Sequence, residues 1–211
     1  WEINQYTVTF DTDGGSAIAP ITQDYATAIT APADPTKTGY TFNGWSPALP
    51  TTMPAGDVTV KAQWTINQYE VSFVDEDGST VLLAAAKYDY NTAGKDIAKP
   101  ESEPTKTGYS FIGWDTIPTA VTADTVIKAT YSINQYTISF NTDGGTSIAD
   151  IKQDYNTAVT APANPTKTGY TFKGWNTEIP ATMPAGDMTI TAQWEINQYT
   201  VTFDTDGGSA I

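Results

Sequence analysis

Apolar and polar side chains alternate along Gln5–Phe10, with Tyr6, Val8 and Phe10 on one face and Thr7 and Thr9 on the other. That period of two predicts a half-buried strand. Asp13-Gly14-Gly15 follows and predicts a tight turn. A second strand is expected over Ile18–Tyr25, with Pro20 favouring a sheet edge because proline has no N–H to give a neighbour. Thr27–Thr38 contains Pro32 and Pro35 and reads as irregular, with room for one short helical turn. Tyr40–Trp45 reads as a third strand, and Pro47, Pro50 and Pro54 mark a loop. Val58–Trp64 alternates Val58, Val60, Ala62 and Trp64 and reads as the last strand. The fold class predicted is mainly β, α+β at most.

The pattern then starts over. INQY occurs at Ile3–Tyr6, Ile66–Tyr69, Ile133–Tyr136 and Ile196–Tyr199, spaced 63, 67 and 63 residues apart. PTKTGY recurs at Pro35–Tyr40, Pro104–Tyr109 and Pro165–Tyr170, and a Gly-Trp pair at Gly44-Trp45, Gly113-Trp114 and Gly174-Trp175. Three repeats are therefore expected at 3–65, 66–132 and 133–195, with 196–211 the start of a fourth. Repeats one and three are near-copies, and repeat two has diverged. Trp1–Ile18 and Trp194–Ile211 are identical, so the chain reads as a window on a longer tandem array.

Each repeat is near the lower size limit for folding without disulfides, and the chain has no Cys. Aromatics supply the missing apolar bulk. Tyr6, Phe10, Tyr40, Phe42, Trp45 and Trp64, with Trp114 and Trp175, are the expected core, each worth roughly 1.5–3 kcal/mol when buried. At the joints, Trp64 and Tyr69 are separated only by Thr65, Ile66, Asn67 and Gln68. Ser132–Gln135 and Glu195–Gln198 repeat this arrangement, again without Gly or Pro. Such joints are neither flexible linkers nor Pro-rich spacers. Three modules in series predict a rod of roughly 75–105 Å.

The segments YTVTFDTDGG, APADPTKTGYTFNGW and DVTVKAQW together resemble the Listeria–Bacteroides repeat, or internalin B-repeat, family. The resemblance covers all three repeats and the partial fourth. It implies a small β-grasp-like (ubiquitin- or SUMO-like) module, used in tandem on bacterial surface and secreted proteins, with no catalytic residues to carry over.

Composition narrows the chemistry. The net charge of -14 argues against nucleic acid and anionic lipid as partners, and no stretch is long enough to span a membrane. All ten positive charges are Lys, and there is no His, which removes imidazole bases and ligands. Oxygen-rich turns at Asp11 and Asp13, Asp75 and Asp77, and Asn141 and Asp143 suggest calcium, but no bidentate Glu follows, and a glycine-bearing hairpin turn explains them better. A Lys37–Asn4 isopeptide link lacks a recurring acid. Lys37 is expected to be solvated, and Asn4 to hold the joint through side-chain to backbone bonds. No cofactor and no enzyme activity is expected.

The functional expectation is a rigid spacer or stalk of an extracellular, surface or secreted protein, with neighbouring repeats as partners. The alternatives are a fibre subunit that pairs with other copies through Tyr199, Val201 and Phe203, and a module that binds a host or matrix ligand. Near-identical neighbours risk exchanging strands while folding, and the diverged repeat two separates the two near-copies. An array of three copies of repeat one should therefore refold in lower yield than the native order. Equal yields would show that the divergence serves no such purpose.

Overall fold

Strand forms where the alternation predicts it in all three repeats, though not over Gln198–Phe203, in a computed structural model that describes residues 1–209. Ala210 and Ile211, the last two residues of the expected fourth-repeat start, lie outside the described residues. Repeat one holds β1 (Gln5–Asp11), β2 (Ile21–Asp24), β3 (Tyr40–Ser46) and β4 (Val58–Ile66). Repeat two holds β5 (Gln68–Val74), β6 (Val81–Asp89), β7 (Tyr109–Trp114) and β8 (Thr125–Ile133). Repeat three holds β9 (Gln135–Asn141), β10 (Ile151–Asp154), β11 (Tyr170–Trp175) and β12 (Met188–Ile196). The three sheets share one order: β2-β1-β4-β3, β6-β5-β8-β7 and β10-β9-β12-β11.

The centre of each sheet is a parallel pair. β1 lies parallel to β4 (Val8 opposite Val58, Phe10 opposite Val60), β5 to β8 and β9 to β12. Edge strand β2 pairs antiparallel with β1, and β3 with β4. A carboxylate caps the start of each pair. Asp57, Asp124 and Asp187 each accept a bond, at 2.8 Å, from the N–H of Thr7, Glu70 and Thr137 respectively.

The second strand is shorter than expected in repeats one and three, starting at Ile21 and Ile151. The preceding residues are drawn elsewhere: Ser16 N–H donates to the Thr36 carbonyl at 2.8 Å, and Thr146 N–H to Thr166 at 2.8 Å. Repeat two has diverged here, and β6 runs nine residues. The helical turn allowed for in Thr27–Thr38 does not form. Among the described residues a 3-10 turn occurs instead at Gly94–Asp96, in the longer segment of repeat two.

The Gly-Trp pairs of repeats one and three mark a bulge. Phe42 faces Trp64 while Trp45 faces Ala62, three residues against two, and Gly44 takes up the extra residue at φ 93°. The bulge turns Phe42 and Trp45 to the same side, with ring centroids 5.2 Å apart. Trp45 also meets Phe10 at 5.1 Å. The deepest residues are aliphatic. Val8, Met53 and Val60 are fully buried with Phe10 at the centre of repeat one, as are Ile138, Met183 and Ile190 with Phe140 in repeat three. Repeat two centres on Val71, Phe73, Ile97, Val121 and Ile127. The aromatics expected to form the core divide accordingly: Phe10 is buried, while Tyr6, Tyr40, Phe42, Trp45, Trp64, Trp114 and Trp175 are half-buried around it. Trp64 packs on the first turn, its Nε1–H donating to the Thr12 carbonyl at 3.1 Å.

Met53 lies in a loop and gave no periodic signal, yet it is buried against Val8 and Val60. Met53→Ala should cost about 2–5 kcal/mol of local stability. Hydrogen exchange at the Val8 and Val60 amides should speed up accordingly, while Ile138 and Ile190 in repeat three keep their rates.

Candidate functional site: the joints between repeats

By packing, the chain divides into two compact units, Trp1–Ser102 with Trp114–Thr130, and Glu103–Gly113 with the chain from Tyr131 onward. The division runs through repeat two. The first joint therefore lies inside one unit and the second joint inside the other.

Each joint is built from the same parts. PTKTGY closes as a turn, Tyr40 N–H donating to the Lys37 carbonyl at 3.0 Å with Gly39 at φ 79°. The Gly39 carbonyl accepts from Asn67 N–H at 2.9 Å, and the Asn67 carbonyl accepts from Tyr90 N–H at 2.7 Å. Asn67 Oδ1 accepts from the Thr41 hydroxyl at 2.6 Å. The Tyr90 ring lies flush on Gly39, where an added Cβ would sit 1.9 Å from Tyr90 Cδ1. The second joint repeats every term. Gly108 accepts from Asn134 N–H at 2.9 Å, Asn134 from Tyr155 N–H at 2.8 Å, and Asn134 Oδ1 from the Ser110 hydroxyl at 2.7 Å. A Cβ on Gly108 would be 2.0 Å from Tyr155 Cδ1. The Tyr155 ring also bridges the joint, meeting Tyr109 of repeat two at 6.1 Å and Tyr136 of repeat three at 6.5 Å, both edge-on.

The recurring asparagine thus works differently from expectation. Its backbone bonds to both repeats, and at Asn67 and Asn134 its side chain takes a hydroxyl from β3 or β7 instead of a backbone group. The recurring lysine is not simply solvated. Lys37 Nζ donates to the Asp13 carbonyl at 2.9 Å and stands 4.6 Å from the Tyr40 ring centre, a cation–π position. Lys167 does the same with Asp143, at 2.7 Å, and Tyr170, at 4.5 Å. Lys37 is thereby engaged with the turn and not with Asn4, whose amide lies 3.4 Å from the Tyr6 hydroxyl.

The candidate calcium turns use their side-chain oxygens internally. Asp11 Oδ1 accepts from Asp13 N–H at 3.0 Å, Asn141 Oδ1 from Asp143 N–H at 3.1 Å, and Asp75 Oδ1 from Glu76 N–H at 2.8 Å. Lys61 bonds Asp13 at 2.9 Å, and that hydrogen bond and charge hold the Asp13 carboxyl below its ordinary range. Asp77 is held well below by the Thr80 hydroxyl and by the N–H groups of Thr80 and Ser79. Among the described residues, no group of three His, Cys, Asp or Glu could hold a metal ion.

Tyr199, Val201 and Phe203 face solvent, at 78, 75 and 67% exposure. The strand that Gln5–Asp11 forms in repeat one is absent over Gln198–Asp204, because the described residues beyond it include no counterpart of β2 or β4 to pair with.

The joint tyrosines were not singled out from the sequence. Their signal is a recurrent Asp-Tyr at 24–25, 89–90 and 154–155. A residue with positive φ follows each time: Ala26 at 64°, Asn91 at 66° and Asn156 at 60°.

A tandem array of four-stranded β modules, joined without linkers, is the class that this fold and these joints define. Residues 6–63, 69–134 and 136–193 each match the Listeria-Bacteroides repeat domain, and the chain belongs to that family. Such tandem repeats are typical of bacterial surface proteins. Two proteins of Evansella cellulosilytica, described as a Gly-rich membrane protein and a membrane protein, are each 35% identical to it over 100% and 97% of the chain. The chain spans 27% and 34% of their lengths. Internalin H of Listeria monocytogenes is 38% identical over 52% of the chain, which matches 20% of that protein. A solved pair of tandem repeat (SHIRT) domains from a streptococcal cell surface protein aligns with 62% of the chain and 98% of its own length, at 21% identity and a TM-score of 0.26. Among the described residues no helix is long and apolar enough to cross a membrane.

Gly39, Gly108 and Gly169 share positive φ, at 79, 78 and 81°, but a Cβ on Gly169 would meet nothing within 4 Å. Alanine at any of the three meets the left-handed strain of about 1–2 kcal/mol. Gly39→Ala and Gly108→Ala must also displace a tyrosine. They should destabilise by about 0.5–1.5 kcal/mol more than Gly169→Ala, read as loss of exchange protection at Asn67 and Asn134.

Proposed function

We propose that the chain is a non-catalytic, rigid spacer of a bacterial cell-surface or secreted protein, in which β-grasp-like modules are strung into a rod that holds another part of the protein away from the envelope. The observation that carries this reading is the duplicated joint, where Gly39, Asn67 and Tyr90 make the same bonds as Gly108, Asn134 and Tyr155. A joint that needed to bend would not spend a carbonyl, a side-chain amide and an aromatic ring on fixing its angle. The mixed sheet, with its parallel central pair and antiparallel edges, supports the β-grasp-like reading of each module. The fibre alternative rests on Tyr199, Val201 and Phe203, whose exposure in the single chain does not favour it over an array that continues.

Small-angle scattering of the chain should give an elongated particle of roughly 75–105 Å, from the usual size of such modules. Replacing Ile66-Asn67 with Gly-Gly removes the Thr41–Asn67 side-chain bond and should broaden the distance distribution while each module keeps its own fold. A compact or broad distribution for the unaltered chain would end the spacer reading.

A further inference from the structure

Three PTKTGY turns present the same floor, a glycine without a side chain beside a tyrosine and a hydroxyl. At Gly39 and Gly108 a tyrosine ring from the next repeat lies on that floor. At Gly169 nothing does among the described residues, although the rest of the joint is already assembled. Asn197 N–H donates to the Gly169 carbonyl at 2.8 Å, and Asn197 Oδ1 accepts from the Thr171 hydroxyl at 2.6 Å. Tyr199 lies 3.4 Å from the Asn197 amide, as Tyr136 does from that of Asn134. Ile196 is 67% exposed, against 39% for Ile133 in the second joint and a half-buried Ile66 in the first. An open depression of about 630 Å³ lies beside them, lined by Thr171, Glu195, Ile196, Asn197, Gln198 and Tyr199.

The opposite half is present as well. Tyr25 makes the bond to Asn4 that Tyr90 makes to Asn67, at 2.9 Å, and meets Tyr6 edge-on at 6.5 Å as Tyr155 meets Tyr136. Tyr25 is 51% exposed, however, while Tyr90 and Tyr155 are half-buried in their joints.

We propose that the surface of Gly169, Tyr170 and Asn197 is a docking site for the Asp-Tyr turn of a further repeat of this kind, joined in the same chain through Asn197, and that Tyr25 is the matching plug for the glycine turn of a preceding repeat. The occupied sites at Gly39 and Gly108 specify the occupant: a ring flat enough to lie on a bare backbone, and at Gly108 edge-on to two tyrosines. Two of the three rings, Tyr170 and Tyr199, are in place. A second copy of the chain is the poorer occupant, since its own Asn4 would have to displace Asn197 from the Gly169 carbonyl. The inference rests on the spacer reading but fails separately from it. Scattering of the unaltered chain depends on the joints at Gly39 and Gly108, whereas this test reads only the site at Gly169.

Residues 196–211 repeat 3–18 letter for letter, so appending the sequence of residues 19–65 after Ile211 completes a fourth repeat. Hydrogen exchange of the Asn197 amide should slow by up to about tenfold in the extended chain, the worth of one aromatic contact. Replacing the appended Asp-Tyr tyrosine with alanine should return it to the rate of the unextended chain. Tyr25→Ala in repeat one, the same residue in the same sequence, checks that the module folds without this ring, read by unchanged exchange at Val8 and Val60. In the chain labelled with 3-fluorotyrosine, the appended residue should resonate with Tyr90 and Tyr155, away from Tyr25. Unchanged Asn197 exchange on extension, protection that survives loss of the appended ring, or a fluorine signal coincident with Tyr25 would each overturn the proposal.

Discussion

The parallel pairing of each repeat's first strand with its last is the constraint on which the rest depends. A chain that enters on β1 and leaves on a strand running the same way exits at the far end of the module. An antiparallel closing pair would have returned it to its starting side. Parallel neighbours require a long crossover, and the residues between β1 and β4 are that crossover, carrying the two edge strands on the way. Once the exit is fixed, β4 can end at Ile66 and β5 begin at Gln68 with Asn67 alone between them. Asp57, Asp124 and Asp187 follow from the same arrangement. Each caps the N–H of a first strand just before the last strand begins its parallel run.

One residue between modules leaves little room for a linker, so the joint must be made from surfaces the modules already own. The glycine turn belongs to one repeat, and the Asp-Tyr turn to the next. Asparagine ties them because its backbone carries both a donor and an acceptor while its side chain supplies a third bond. Each neutral hydrogen bond is worth about 0.5–1.5 kcal/mol net, and the ring contact about as much. Such a sum is enough to hold an angle and modest beside a module's core. Stability in such an array is a sum of module and nearest-neighbour terms, and the neighbour term here includes the backbone bonds, the asparagine side-chain bond and the ring contact of each joint.

Strand positions were legible in the sequence because their signal is local. The alternation at Gln5–Phe10 and Val58–Trp64, and the recurrence of INQY and PTKTGY, needed no tertiary knowledge. The Gly-Trp pair was legible as a marker but not as a bulge, since that role appears only when Phe42 and Trp45 are set against Trp64 and Ala62. Met53 and the joint tyrosines were missed for a related reason. Met53 sits in a proline-rich loop, where no period exists to betray burial. Tyr25, Tyr90 and Tyr155 each directly follow a second strand, and an aromatic there reads as core of its own repeat unless, as for Tyr90 and Tyr155, a glycine of the preceding repeat is known to lie beneath it. Lys37 was misread as solvated because a turn lysine usually is, and one of its two partners, Asp13, comes from a segment that only the fold brings beside the turn holding Lys37 and Tyr40.

Gln5–Asp11 and Gln198–Asp204 are the same seven letters, and they separate the two kinds of information. The first is a strand, paired on both sides by β2 and β4. The second is not, and its apolar face stays in water. The turn that follows forms in both places: Gly15 N–H reaches the Thr12 carbonyl at 2.9 Å, and Gly208 N–H reaches Thr205 at 2.8 Å. Asp13 and Asp206 take nearly the same positive φ, 48 and 45°. The turn is thus encoded within a few residues, by Asx bonds and glycines that act on their neighbours. The strand is encoded only in company, since isolated β-structure is marginal without partners and a face to cover. Strand formation in any repeat is therefore a property of the whole module, with its distant last strand required.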